Sequence, residues 1–143
     1  MVNVYLDSAI IIKLLVDEPD SYVFKEAIPG HSISTSELAL TEVLSALLAK
    51  ERAKAINEKE RHGAWREFSS WIDDERLEIH PLDGLVLKKA RHALGRCYPS
   101  VPLRTLDAIH VAACDSSQDF PLCATDKRMR DAAVVLGIPV FPE

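Results

Sequence analysis

The stretch VNVYLDS, Val2–Ser8, places a carboxylate and a hydroxyl directly after a short apolar run. Enrichment in β-branched side chains just before a break in the pattern is typical of a buried strand. Asp7 then lies at the carboxyl end of that strand, where two interpretations are open. Its side chain can accept the free N–H groups in the first turn of a following helix. It can equally point into the crevice where open α/β sheets bind ligands.

Helical and strand patterns alternate along the rest of the chain. Strands alternating with helices predict βαβ units and a parallel sheet covered on both faces. We therefore expect an α/β fold, a single-domain α/β/α sandwich over residues 1–143 with a central, mostly parallel sheet. The further predicted strands are His31–Thr35, Leu77–His80, Leu122–Ala124 and Ile138–Phe141. The predicted helices are Ala9–Val16, Ser21–Ala27, Glu37–Ala53 with Ser36 as N-cap, Asn57–Asp74, Asp83–Arg96, Thr105–Cys114 and Lys127–Leu136.

Composition excludes several classes of protein. With 143 residues, of which 48% are hydrophobic and 27% charged, the chain is long enough to bury a core without disulfides or metal. No apolar run approaches the ~20 residues of a membrane span, and no leader is recognisable, so we expect a cytoplasmic protein. Cys97, Cys114 and Cys123 lack CxxC spacing and are expected to be reduced core residues.

A net charge of −5 argues against a module that coats nucleic acid by charge alone. It does not exclude a nuclease, because catalytic carboxylates add negative charge that bound metal would neutralise.

Two acidic residues are out of place on predicted helices. Glu42 lies between the polar stripe and the main apolar face of Glu37–Ala53, among small apolar side chains. Asp107 and His110 are the only polar side chains from Leu106 to Cys114. A partly buried carboxylate is costly unless it is paired or bound to metal. The helix dipole accounts for an acid in the first turn, but not for an otherwise apolar helix. We interpret His110 as a satisfied buried histidine.

Asp126 follows the predicted strand Leu122–Ala124, so two acids stand at strand ends and two more project from helices. By itself, Asp126 is explained by capping of the next helix. Converging carboxylates repel, and such a site needs a proton or a cation. Oxygen-only ligands select Mg²⁺ or Mn²⁺ rather than zinc.

Four segments together resemble the PIN domain, and within it the VapC-type toxins of toxin–antitoxin pairs: YLDSA, TSELALTEVLSAL, RTLDAIHVAAC and ATDKRMRDAA. The resemblance extends from Val2 to Phe141 and implies a PIN-like fold. Carried over position by position, it implies that Asp7, Glu42, Asp107 and Asp126 bind the metal. Ser8 and Thr125 resemble the small hydroxyl residues that support such a site.

The resemblance implies a metal-dependent endoribonuclease that activates water with Mg²⁺ or Mn²⁺ and leaves 5′-phosphate and 3′-hydroxyl ends. It also implies RNA as substrate, a VapB-type antitoxin as partner, and a homodimer. We expect Arg104 and Arg128 to contact the RNA backbone, because a guanidinium can bind phosphate with two parallel hydrogen bonds. Lys13 and Lys127 are interpreted as solvated surface residues.

An aromatic stripe formed by Trp65, Phe68, Trp71 and Ile72 allows two interpretations. Core packing is the default. The alternative, suggested by the resemblance, is a groove that receives the antitoxin. The segment Leu14–Val16 fits either that groove or the surface through which a homodimer would form.

Rival functions remain at this point. A haloacid-dehalogenase-like phosphatase needs a second acid two residues after the first, and Ala9 occupies that position. A receiver-like domain needs an acidic pair at the first strand end, where Leu6 precedes Asp7. The non-enzymatic rival is a PIN-like scaffold that binds RNA or protein without cutting.

Overall fold

The computed structural model describes residues 3–143. Its strands are β1 (Asn3–Leu6), β2 (Ser32–Ser36), β3 (Leu77–His80), β4 (Leu122–Cys123) and β5 (Val140–Phe141). They form one sheet in the order β3-β2-β1-β4-β5, and every pairing is parallel. The helices are α1 (Ser8–Leu15), α2 (Ser21–Ala27), α3 (Glu37–Arg52), α4 (Glu58–Asp73), α5 (Gly84–Cys97), α6 (Thr105–Ser117) and α7 (Lys127–Leu136).

The direction in which the chain adds strands reverses once. The chain builds outward from β1 through β2 to β3, then returns to place β4 on the other side of β1 and continues to β5. Crossovers between parallel strands are right-handed, so reversing the direction moves the connecting helices to the opposite face. The point of reversal lies between β1 and β4, and this is where sheets of this class bind ligands.

Helices cover both faces of the sheet, as the α/β/α prediction requires. One buried cluster joins α1 to α4 with the side of the sheet that carries Leu6 and Leu77. The other joins α5, α6 and α7 with Tyr5 and Leu122, whose side chains point the opposite way. The three cysteines are free and buried, as expected. None of the helices among residues 3–143 combines the length and apolar character that a membrane span requires.

Most predicted elements are confirmed, with small shifts at their ends. Val2, placed in the first strand by the sequence, lies outside the described residues. The second strand runs one residue later than predicted, so Ser36 is both its last residue and the N-cap of α3. The Ser36 side chain makes no capping bond, and its buried hydroxyl has no hydrogen-bond partner within residues 3–143.

The aromatic stripe on α4 is anchored in the core. Phe68 is fully buried and meets Trp65 and Trp71 at ring-centroid distances of 5.5 and 6.1 Å. Trp65, Trp71 and Ile72 are partly buried against the same cluster. Core packing is thus confirmed for Phe68, while Trp71 also lines a surface groove.

Candidate active site

Asp7 leaves the sheet at the point where the strand order reverses. Its backbone N–H donates to the Cys123 carbonyl at 3.2 Å, which extends the pairing of β1 with β4 by one bond. Its side chain caps α1, because Oδ1 accepts from the Ile10 N–H at 2.9 Å. Asp7 is only 3% exposed. The capping role of Asp7 is therefore confirmed, and it leaves Oδ2 for a second role.

Asp126 enters from the neighbouring strand, and Asp107 from the start of α6. Asp126 Oδ1 caps α7 by accepting from the Met129 N–H at 3.1 Å. Asp107 is buried, and its Oδ2 accepts from the Arg104 backbone N–H at 3.3 Å. The Arg104 guanidinium spans the two acids, with Nε 3.1 Å from Asp107 Oδ2 and Nη2 3.4 Å from Asp126 Oδ2. One cation thus bridges two carboxylates from different elements.

Glu42 reaches the same region from α3. Its side chain is 21% exposed, which agrees with the partial burial expected from its small apolar neighbours. Its Oε1 accepts a hydrogen bond from His110 Nε2 on α6. His110 is buried, and its Nδ1 lies 2.8 Å from the Tyr5 hydroxyl on β1. His110 is therefore the satisfied buried histidine that was expected, but one of its partners is a predicted site residue.

Electrostatic effects show that Asp7 lies near other acids. Burial raises the pKa of Asp7 from its ordinary value of 3.8 to about 6, because it disfavours the charged carboxylate. The charges of Glu42 and Asp126 raise this pKa further, whereas the Ile10 N–H and His110 lower it. A buried acid beside like charges is the environment in which a bound divalent cation relieves both burial and repulsion. Because its donors are carboxylate oxygens, the site fits a hard cation.

The other predicted residues are the two hydroxyl residues beside the acids and the basic residues. Ser8 begins α1 beside Asp7, and Thr125 is exposed beside Asp126. Arg128 is exposed, and Lys127 is exposed and paired with Asp131 at 2.8 Å.

The interpretation of Lys13 as a solvated residue is wrong. Its side chain is 12% exposed and lies 2.9 Å from Glu18 and 2.8 Å from Asp20, because the turn at Pro19 brings both acids back against α1.

A second polar cluster was not predicted. Within residues 3–143, one group of three potential ligand side chains has all its ligand atoms within 4.8 Å of one another: Glu78, His80 and Asp119. Asp119 Oδ2 lies 2.6 Å from His80 Nε2 and accepts from the Ser34 hydroxyl at 2.6 Å. This cluster ties the loop after α6 to β2 and β3. The four predicted acids are more widely spaced, and Arg104 lies between two of them.

Sequence periodicity gave little sign of this cluster or of the Tyr5–His110 contact. Glu78 and His80 share one face of β3, which a strand pattern indicates. Asp119 lies in a connection without regular structure, and its meeting with His80 depends on how the chain returns to the sheet.

Comparisons with known proteins agree with this architecture. A sequence model of the PIN domain matches residues 4–135. Ribonuclease VapC46 of Mycobacterium tuberculosis is 38% identical over 144 residues, covering 99% of this chain and 98% of that protein.

Solved structures share the fold at low sequence identity. VapBC2 from Rickettsia felis, bound to a DNA fragment from its promoter, superposes with a TM-score of 0.69 at 13% identity, covering 96% of each chain. The sarcin-ricin loop cleaving toxin VapC20 of Mycobacterium tuberculosis gives a TM-score of 0.66 at 15% identity, covering 90% of this chain and 94% of that one. The chain therefore belongs to the PIN domain family.

Proposed function

We propose that this protein, as a single PIN domain over residues 1–143, is a metal-dependent endoribonuclease and the toxin of a toxin–antitoxin pair. The observation that carries the proposal is the convergence of carboxylates where the strand order reverses, with Asp7 buried and its pKa raised beside Glu42 and Asp126. The near full-length similarity to Ribonuclease VapC46 supports the same reaction class.

Asp7, Glu42, Asp107 and Asp126 would hold Mg²⁺ or Mn²⁺, because carboxylate oxygens are the ligands these ions prefer. When bound, such an ion supplies Lewis acidity, which lowers the pKa of water at the site and offsets charge on the phosphodiester. Asp7 and Asp126 are held in place through their capping oxygens, so each presents its Oδ2 from a fixed backbone position. Ser8 and Thr125 stand beside these two acids and would support them.

Arg104 has two functions in this proposal. Its guanidinium side chain is 61% exposed at the edge of the acidic cluster, and it pairs with Asp107 and Asp126. A guanidinium at this position can exchange carboxylates for a phosphate of RNA, which it binds with two parallel hydrogen bonds. Arg128 is exposed on the first turn of α7 and would bind the RNA backbone nearby. Local contacts of this kind matter because the chain carries a net charge of −5.

The partners follow from the same assignment. A groove between α1, α2 and the end of α4 is lined by apolar side chains, Leu14, Ile28 and Trp71 among them, and by charged ones such as Lys25 and Arg76. We propose that it receives an amphipathic segment of a VapB-type antitoxin. We further propose that the protein forms a homodimer and acts in the cytoplasm.

Cleavage of RNA by the purified protein tests the function. Asp107→Asn should abolish Mg²⁺-dependent cleavage, since it removes a ligand charge without changing the size of the side chain. Asp115→Asn is the matched control, because Asp115 lies on the same helix, is partly exposed and pairs only with Lys89 at 3.4 Å and Gln118 among the described residues. Full activity of the Asp107 variant would contradict the site assignment.

The ends of the products test the chemistry. In the proposed reaction water attacks and O3′ leaves, which gives 5′-phosphate and 3′-hydroxyl ends. Attack by the RNA 2′-hydroxyl would instead expel O5′ and leave a 2′,3′-cyclic phosphate and a 5′-hydroxyl. Sequencing RNA ends after induction in cells, with the Asp107 variant as control, would also identify the target RNA. Cyclic phosphate ends would refute the water mechanism, and no cleavage by the wild-type protein would favour the scaffold alternative.

A further inference from the structure

A chain of hydrogen bonds runs from the sheet to Glu42. The Tyr5 side chain comes from β1 and is completely buried. Its hydroxyl lies 2.8 Å from His110 Nδ1, and the two rings meet edge to face at a centroid distance of 5.9 Å. His110 Nε2 then contacts Glu42 Oε1. Three elements that are distant in sequence, β1, α6 and α3, therefore meet through side chains.

The Glu42 end of this chain has a defined direction. A carboxylate can only accept, so His110 Nε2 carries a proton and donates it to Glu42 Oε1. The other Glu42 oxygen, Oε2, stays available for another ligand. On the far side of the ring, Nδ1 is paired with the buried Tyr5 hydroxyl, which holds the imidazole in its plane.

His110 lies close to the acidic residues but is not one of the predicted metal ligands. It lies three residues after Asp107, so both side chains project from neighbouring positions on one face of α6. Glu42 has a long side chain with many rotamers, and its neighbours one turn away on the helix, Leu38 and Ala46, are apolar and offer it no hydrogen bond. The only hydrogen bond that the described residues give its carboxylate comes from His110.

We propose that Tyr5 and His110 are positioning residues that hold the Glu42 carboxylate toward Asp7 for cation binding. Tyr5 fixes the ring plane of His110, and His110 fixes one oxygen of Glu42. A hydrogen-bonded partner behind a ligand orients it and raises the affinity for metal. The inference rests on the proposed function, since it assumes that the acids bind a divalent cation.

Mn²⁺ binding measured by electron paramagnetic resonance on the full-length protein tests this assignment without relying on activity. His110→Leu removes both hydrogen bonds, and we expect it to weaken Mn²⁺ binding by about tenfold or more. His110→Gln keeps an N–H donor near the position of Nε2 and should restore most of the affinity. Tyr5→Phe removes one hydroxyl and should give an intermediate loss.

A double-mutant cycle separates positioning from packing. If His110 acts through Glu42, then His110→Leu should cause no additional loss of Mn²⁺ affinity in a Glu42→Gln background. An equal loss in both backgrounds would overturn the proposal, because it would mean that His110 supports the site independently of Glu42. Thermal unfolding of each variant shows whether it is folded, and if His110→Leu is not, Tyr5→Phe and His110→Gln carry the test.

The same measurements distinguish failure of the inference from failure of the proposed function. If the wild-type protein binds Mn²⁺ and Glu42→Gln weakens binding, but Tyr5→Phe and His110→Leu do not, the positioning role alone is refuted. If the wild-type protein binds no Mn²⁺, the proposed metal site fails and the inference fails with it.

Discussion

Replacing Asp7 with asparagine should stabilise the metal-free protein at neutral pH. Folding raises the pKa of Asp7 from 3.8 to about 6, so the folded state holds this proton more tightly than the unfolded state. The free energy of unfolding therefore falls as the pH rises from the unfolded-state pKa through the folded-state pKa. Each pKa unit corresponds to about 1.4 kcal/mol, so the ionised Asp7 destabilises the protein by about 3 kcal/mol above that window.

Asparagine removes the charge but keeps the capping oxygen for the Ile10 N–H. Its amide N–H groups also require partners in a buried site, so we expect a gain that approaches about 3 kcal/mol without exceeding it. For a chain of this size the gain corresponds to a rise in melting temperature of roughly 6–12 °C. Near pH 4 most of the gain should disappear, since the Asp7 carboxyl is then neutral in the folded state and only about half ionised in the unfolded state.

Thermal unfolding followed by circular dichroism in EDTA, at about pH 4 and about pH 7.5, measures this difference. Asp83→Asn is the matched control, because Asp83 caps α5 by accepting from the Val86 N–H at 3.0 Å but is exposed. It should change the melting temperature little at either pH. Millimolar Mg²⁺ should narrow the advantage of Asp7→Asn by stabilising the wild-type protein. A variant less stable than wild type at neutral pH, or equally stabilised at both pH values, would refute the reasoning.

Two further substitutions test the surroundings of the site. Arg104→Ala should lower the melting temperature in EDTA and enlarge the stabilisation by Mg²⁺, because Arg104 and a bound cation both offset the charges of Asp107 and Asp126. Equal stabilisation of the variant and the wild type by Mg²⁺ would show that Arg104 and the cation do not compete for these charges. Phe68→Ala should cost about 3–5 kcal/mol in urea unfolding, as expected for a fully buried phenylalanine. A loss below about 1 kcal/mol would mean that the aromatic stripe does not anchor α4 in the core.

Local sequence rules predicted the elements that depend on local chemistry. The β-branched run before Asp7, the proline after α1 and Gly137 after α7 each set a boundary that the structure reproduces within a few residues. Gly137 takes the left-handed conformation, φ 74°, that a helix end of this kind requires. The choice between capping and a site role for Asp7 needed no decision, because one carboxylate oxygen caps α1 and the other is left over.

Contacts between distant elements were beyond such rules. Periodicity showed that the Glu42 side chain lies on neither the polar nor the main apolar face of α3. It could not predict that Glu42 contacts His110, which is 68 residues away in the sequence. Lys13 was misjudged for a similar reason, because a turn brings Glu18 and Asp20 back to it. Ser36 shows the limit of capping preferences, since its hydroxyl points into the protein instead of toward the helix N–H groups.

The late arrival of β4 beside β1 has a consequence for synthesis. Tyr5 on the central strand β1 pairs with Leu122 on β4. This pairing cannot form until the ribosome has added more than a hundred further residues. The site formed by Asp7, Glu42, Asp107 and Asp126 is incomplete until that pairing forms, because Asp126 comes after β4 in the chain. If the protein is a ribonuclease toxin, a nascent or prematurely terminated chain that stops before β4 cannot cut RNA, although it already carries Asp7, Glu42 and Asp107. Translation itself would therefore delay the appearance of toxicity.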